Sequence, residues 1–403
     1  MISLRSAPRW LSISNAFVSA VFILPVWMLY YEHKGISMGD FFLIQGLSWI
    51  FVFLAEIPTG YIGDLFSRKR VLIIGTSFWI LGYLILIYGS GFFPVLTAEL
   101  IFGIALAFIS GTMEAYLYDV LKKQNKEQNY HKKFSKMETI ENIGLLIATL
   151  TGAFFYQYFS PDTPACLTIL CAAIGFGVLF LLPDVPESKR IVAKEKSKVQ
   201  DILDISKYAI KDSEIKWLMI FPGIYSILTA LFMWGSQSVM ISRDIPIFMF
   251  SFVAGLNCFS RIGWSAISGM LLEKFHLSGV IKILCGITVL AILGACVSLY
   301  VWPFAVYVCL LLMMLGSSSV VLSRIATSTL VNHRIKSDER ATILSVKSMV
   351  ERVFQGIGLI CLKPLFDGIG VGPTFIASAL LLIPMLICAR HLYKMKLKTR
   401  KEV

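Results

Sequence analysis

The sequence predicts an all-α membrane protein in which twelve spanning helices form two pseudo-symmetric six-helix bundles. Three observations carry this expectation. Of 403 residues, 57% are hydrophobic and 15% charged, and the mean hydropathy is +0.75, well above that of a water-soluble domain. The apolar runs have the length of helices that cross ~30 Å of hydrocarbon with ~20 residues, not that of the ~10-residue alternating strands of a membrane barrel. The only long polar stretch, 183–216, divides those runs six plus six.

In chain order the spans are expected at 10–31, 39–60, 71–91, 94–120, 136–159, 164–183, 217–240, 246–272, 279–299, 303–330, 341–363 and 371–391. The first follows Arg5 and Arg9 and has full spanning length, so it reads as a retained helix and not as a cleaved signal peptide. The middle stretch contains "VQDILDISKYAI", whose helical period suits a membrane surface. The organisation expected is an N-terminal bundle over 1–183, a cytoplasmic linker over 184–216 and a C-terminal bundle over 217–403.

Alternate loops differ sharply in charge. The N-terminus, 61–70, 121–136, 184–216, 273–278, 331–340 and the tail after 391 hold 28 Lys and Arg, against only Lys34 and Arg243 in the opposite loops. The positive-inside rule therefore puts both termini and the linker in the cytoplasm of a multi-pass protein of the cytoplasmic membrane. The net charge of +12 resides in these short loops and not in a basic domain with stacking aromatics, which excludes nucleic acid as a partner. All eight cysteines lie in apolar segments without a CxxC pair, and are expected to be buried small hydrophobes, not disulfides or metal ligands.

Internal repetition is visible at near-equal offsets. A shift of about 209 residues superposes Gly60-x-x-x-Asp64 on Gly269-x-x-x-Glu273, and a shift of 210 superposes Ser135 and Glu141 on Ser345 and Glu351.

Between the second and third spans stands "GYIGDLFSRKR" (60–70). It resembles the signature G-x-x-x-D-(R/K)-x-G-R-(R/K) of the major facilitator superfamily. Gly60, Asp64, Arg68 and Lys69 match, while Leu65 replaces the expected base and Ser67 the second glycine. The resemblance extends over the whole chain through the twelve spans, the six-plus-six division and the echo at 269–273. It implies a transporter working by alternating access, with Gly60, Asp64, Arg68 and Asp119 as a conformational latch. Gly60 permits close helix approach, Asp64 suits a helix N-terminus, here that of the eleventh span, and Arg68 can reach Asp119 at the foot of the fourth. The plainer reading is a cluster that only anchors its loop. Two departures separate the chain from standard drug/proton antiporters: Glu99 precedes Gly103 where many relatives carry Arg, and "GLLIATLTG" (144–152) lacks a Gly-Pro ending. "EIPTG" with "SGTMEAYLYD" resembles a bacterial branch of exporters.

Ionisable groups inside spans cost at least ~2.5–3.5 kcal/mol each and so face a cavity or a partner. Arg261, Glu351 and Arg352 lie near mid-membrane by residue count. The N-terminal half carries Glu56, Glu99, Glu114 and Glu141 in its spans; the C-terminal half carries Arg261, Arg324, Lys347 and Arg352, with Glu351 the exception. Lys347 and Glu351 are spaced i,i+4 and suit mutual pairing. The substrate-binding candidates are Arg261, Arg352 and Glu351 with Asn15, Asn257, Gln237 and Gln355. Because low dielectric favours the protonated form of a carboxylate, Glu99, Glu141 and Glu351 are the proton-coupling candidates. Trp27, Trp49, Trp79, Trp234 and Trp264 offer stacking surface or simple packing, and Pro25 and Pro58 mark expected kinks.

Two readings of this polarity stand: the opposed charges bind a zwitterionic or carboxylate-bearing solute, or they pair as gates around an apolar one. The function expected is proton-coupled export of a small organic compound, drug-like or siderophore-like. Proton-coupled uptake of an organic anion is the alternative, and a polytopic enzyme or receptor the reading of another class. Against the enzyme, the sequence shows no HExxH, GxSxG, Walker-type or paired-His pattern, and the linker lacks His and Cys. The expected partners are the solute, protons and the bilayer, with no cofactor or metal, and the expected state is a monomer.

Overall fold

A computed structural model describes residues 2–185, 213–300, 305–334 and 340–399, with the side chains of 60–65 among those left outside it. Most of the linker, 186–212, falls outside the described residues. Every regular element described is a helix. They run α1 Ala7–Val18, α2 Trp27–His33, α3 Met38–Leu65, α4 Arg68–Tyr88, α5 Phe92–Ile109, α6 Thr112–Lys123, α7 Tyr130–Tyr158, α8 Thr163–Leu181, α9 Ser213–Ser242, α10 Ile247–Tyr300, α11 Val306–Ser318, α12 Val320–Arg334, α13 Arg340–Ile369, α14 Val371–Ser378 and α15 Leu382–Thr399.

Ten stretches among the described residues are long and apolar enough to span. The other two expected spans fall short for local reasons. The first divides into α1, a 3₁₀ turn at Leu24–Val26 around Pro25, and α2. The eleventh, α13, is long enough but carries Lys347, Glu351, Arg352, Lys363 and Asp367. The turn expected at 273–278 is helical: α10 continues through it, since "LLEKFHLSG" offers good helix formers and no proline. Before Pro384, which cannot donate to the Leu380 carbonyl, the last span tightens into a 3₁₀ turn at Ala379–Leu381.

Residue contacts group into two compact units, Met1–Ser37 with Phe51–Glu195 and Pro246–Gly255, and Met38–Ile50 with Lys196–Ile245 and Leu256–Val403. In the first, α1 packs on α7 and α8, and α4 on α5 and α8. Leu11, Leu72, Met113, Tyr116, Leu117, Leu121, Met137 and Leu179 form its core at the end bearing the basic loops. In the second, α9 packs on α11, α12, α13 and α15. The opening of α3 belongs here, with Asp40 Oδ1 2.5 Å from Lys363 Nζ and Phe42 stacked on Phe366 at 4.3 Å.

Large apolar side chains stand exposed along both units, among them Phe93, Ile147, Leu170, Phe252, Met270, Leu380 and Ile383. On spanning helices this is the surface that hydrocarbon covers. Of the cysteines expected to be buried, Cys285, Cys309 and Cys388 are, whereas Cys171, Cys258 and Cys296 are half-buried and Cys166 and Cys361 exposed; all eight are free thiols.

Candidate functional site

The first unit places a carboxylate where α1 ends. Ser19 is the C-cap of α1, and the chain then leaves helical geometry ahead of Pro25. Asn15 Nδ2 donates to Glu141 Oε2 at 2.5 Å and Ser19 Oγ to Glu141 Oε1 at 3.1 Å. Glu141 reaches them because Gly144, one turn on, lies against the Ala16 carbonyl oxygen, where a Cβ would stand at 2.7 Å. Among the described residues no cation pairs with Glu141.

Glu99 on α5 is 5% exposed. It accepts from the Trp27 indole at 3.3 Å and the Tyr31 hydroxyl at 2.5 Å, inside a ring box completed by Tyr83, Phe102 and Trp79. It is shut in by aromatics from α2, α4 and α5.

The loop motif is partly on view. Arg68 Nε donates to Asp119 Oδ2 at 2.5 Å, joining the start of α4 to α6 within the first unit. Lys69 Nζ donates to the Phe180 and Leu182 carbonyl oxygens at 2.8 and 2.7 Å. It thereby caps the C-terminus of α8, where unpaired carbonyls and the helix dipole favour a cation. The side chain of Asp64 lies outside the described residues, as do residues 335–339 ahead of α13.

In the second unit Glu351 on α13 is 6% exposed and Lys347 3%. Lys347 Nζ stands 3.5 Å from Glu351 Oε1, and Arg324 Nε on α12 donates to Glu351 Oε2 at 3.2 Å. Lys347 also donates to Ser328 Oγ at 2.9 Å. Arg324, 53% exposed, lies within Coulombic range of Arg261. Arg261 is exposed midway along the span Ile247–Phe275. Asn257 is buried one turn before it, Gln237 is buried on α9, and Arg352 and Gln355 are half-buried on α13.

The structure thus joins Asn15 to Glu141 and Arg68 to Asp119, and surrounds Glu351 with cations. Sequence reasoning missed Ser19, the use of Lys69 as a cap, and Arg324 as a partner of Glu351. Of these only Ser19 left a signal, standing four residues after Asn15.

Long apolar helices that keep charged side chains in their interiors mark a polytopic membrane protein. The chain belongs to the Major Facilitator Superfamily, whose sequence profile matches residues 10–359. It is 23% identical over 385 residues to an MFS-type transporter of Methanocaldococcus jannaschii, covering 92% of this chain and 93% of that one. Its fold is similar to that of the nucleoside transporter NupG, with a TM-score of 0.77 at 15% identity over 98% of this chain and 99% of that one. It is also similar to that of the human organic anion transporter MFSD10, with a TM-score of 0.62 at 15% identity over 96% and 100%. Members of this superfamily transport solutes and are not enzymes.

Proposed function

We propose that the protein exports a small amphipathic, zwitterionic or carboxylate-bearing compound from the cytoplasm by alternating access, driven by proton antiport. The observation that supports proton coupling is Glu141: a half-buried carboxylate in a spanning helix, held by the neutral donors Asn15 and Ser19. Glu351, by contrast, already has Lys347 and Arg324 as counter-ions. Glu99 is the weaker carrier, because its aromatic box leaves a proton little route in or out. The proposed cycle loads a proton on Glu141 from the acidic side and releases it when the site turns to the cytoplasm. Arg68, Asp119, Gly60 and Asp64 act as the latch at the basic face, and the protein works as a monomer.

The test is reconstitution into liposomes with an imposed pH gradient of either sign, measuring solute accumulation and proton flux together. Glu141→Gln should abolish gradient-driven accumulation, while solute exchange without a gradient persists. Full accumulation by the variant would refute the coupling assignment, and accumulation only under the reversed gradient would make the protein an uptake symporter.

A further inference from the structure

In the second unit the Arg261 side chain forms no hydrogen bond or ion pair among the described residues. Asn257, four residues earlier on the same face of α10, is 7% exposed, and its side-chain amide nitrogen has no hydrogen-bond partner. A buried donor left without an acceptor is rare in native structures, because desolvation is then uncompensated. Among the described residues Arg324 engages only its Nε, with Glu351 at 3.2 Å, and its side chain is 53% exposed. Arg324 and Lys347 share the carboxylate of Glu351, while Arg261 lies within Coulombic range of Arg324. Two guanidinium groups that repel one another, with an unsatisfied amide one helical turn from the first, are donors that an oxyanion would satisfy while cancelling the repulsion.

We propose that Asn257, Arg261 and Arg324 form a binding site for an oxyanion group, carboxylate or phosphate, of the transported solute, and that Glu351 is the internal anion holding Arg324 while the site is empty. Binding transfers Arg324 from Glu351 to the solute, and Lys347, 3.5 Å away, retains the released carboxylate. This specifies the solute of the transport reading above and rests on it only in treating the ligand as cargo. Glu351 and the solute compete for one guanidinium, so removing the charge of Glu351 strengthens binding. A site in which Glu351 itself contacted the solute would behave in the opposite way.

The experiment is calorimetric titration of the full chain in lipid nanodiscs with citrate and with inorganic phosphate, choline serving as the cationic control. Citrate binding identifies a carboxylate site and phosphate binding a phosphate site; either supports the proposal. Arg261→Gln and Arg324→Gln should each weaken binding at least about tenfold, Asn257→Ala several-fold, and Glu351→Gln should tighten it about tenfold. Arg324→Lys, which keeps the charge and loses the planar fork, should restore part of the affinity and shows that the variants fold. Arg5→Gln removes an exposed cation elsewhere and should change nothing. The proposal is overturned if neither anion binds, if Arg5→Gln weakens binding as much as Arg261→Gln, or if Glu351→Gln weakens it. Anion binding without proton-driven flux would remove the transport coupling and leave this site standing; flux of choline without anion binding would do the reverse.

Discussion

Arg68 and Asp119 meet at 2.5 Å with side chains 15% and 25% exposed. Removing either leaves the other partly buried without its partner, a loss of about 1.5–3 kcal/mol for a hydrogen bond to a charged group. Arg68→Ala and Asp119→Ala are each expected to lower unfolding stability by that amount, and the charge swap Arg68→Asp with Asp119→Arg to recover at least half. Thermal unfolding in nanodiscs reads this directly, and a swap no better than the single variants would show that the geometry, not the charge, is needed. The same scale explains the two exceptions to the basic-loop count. Lys34 Nζ stands 3.1 Å from Asp162 and donates to the Ile87 carbonyl oxygen at 2.6 Å, and an Arg243 guanidinium nitrogen donates to the Leu299 carbonyl oxygen at 2.6 Å. Both cations are committed to structural contacts. Their positions were legible as anomalies of topology; their partners were not, because each partner comes from a distant segment.

At the scale of the element, the break in the first span shows how irregular backbone is accommodated inside a membrane. Between Ser19 and Pro25 the helix ladder lapses, and the Phe22 N–H finds the Thr168 hydroxyl at 3.0 Å, as hydrocarbon leaves no water to satisfy it. Gly152 on α7 lies against the Phe22 carbonyl, and any Cβ there would overlap that oxygen. The glycines of "GLLIATLTG" thus serve the approach of α7 to the broken first span. Gly152→Val should cost ~3 kcal/mol or prevent folding through forced separation of the helices. Gly177→Val, where a Cβ meets nothing within 4 Å, should be neutral by the same thermal assay; equal loss at both would point to a general intolerance of branched residues. Glycine spacing announced close approach, whereas the partner carbonyl depended on where the break fell.

Over the whole molecule, the offset of 210 residues acquires physical content. α1 packs on α7 and α8, and α9 packs likewise on α13 and α15, so Glu141 and Glu351 occupy corresponding helices. Their chemistry has diverged: Glu141 receives neutral donors and Glu351 receives cations. The charge asymmetry of the loops makes a prediction at this scale. Single cysteines added at either terminus of a variant without native cysteines should resist a membrane-impermeant maleimide in right-side-out vesicles, and one placed at Gly35 beside Lys34 should react. Labelling of one terminus alone would break the even count of spans.

Hydropathy was sufficient for the class of protein and for ten of the twelve expected spans among the described residues, because each depends on composition summed over ~20 residues and needs no knowledge of neighbours. The loop signature and buried charges likewise stood out as candidate sites, since a charge in hydrocarbon is costly enough to be visible in one dimension. Which charges face each other is a different kind of quantity. Glu351 is neutralised by Lys347 one turn away and by Arg324 on another helix, while the Arg261 side chain pairs with no described residue. Those outcomes turn on helix rotation and separations of a few ångströms, which arise only when packed helices have settled against one another.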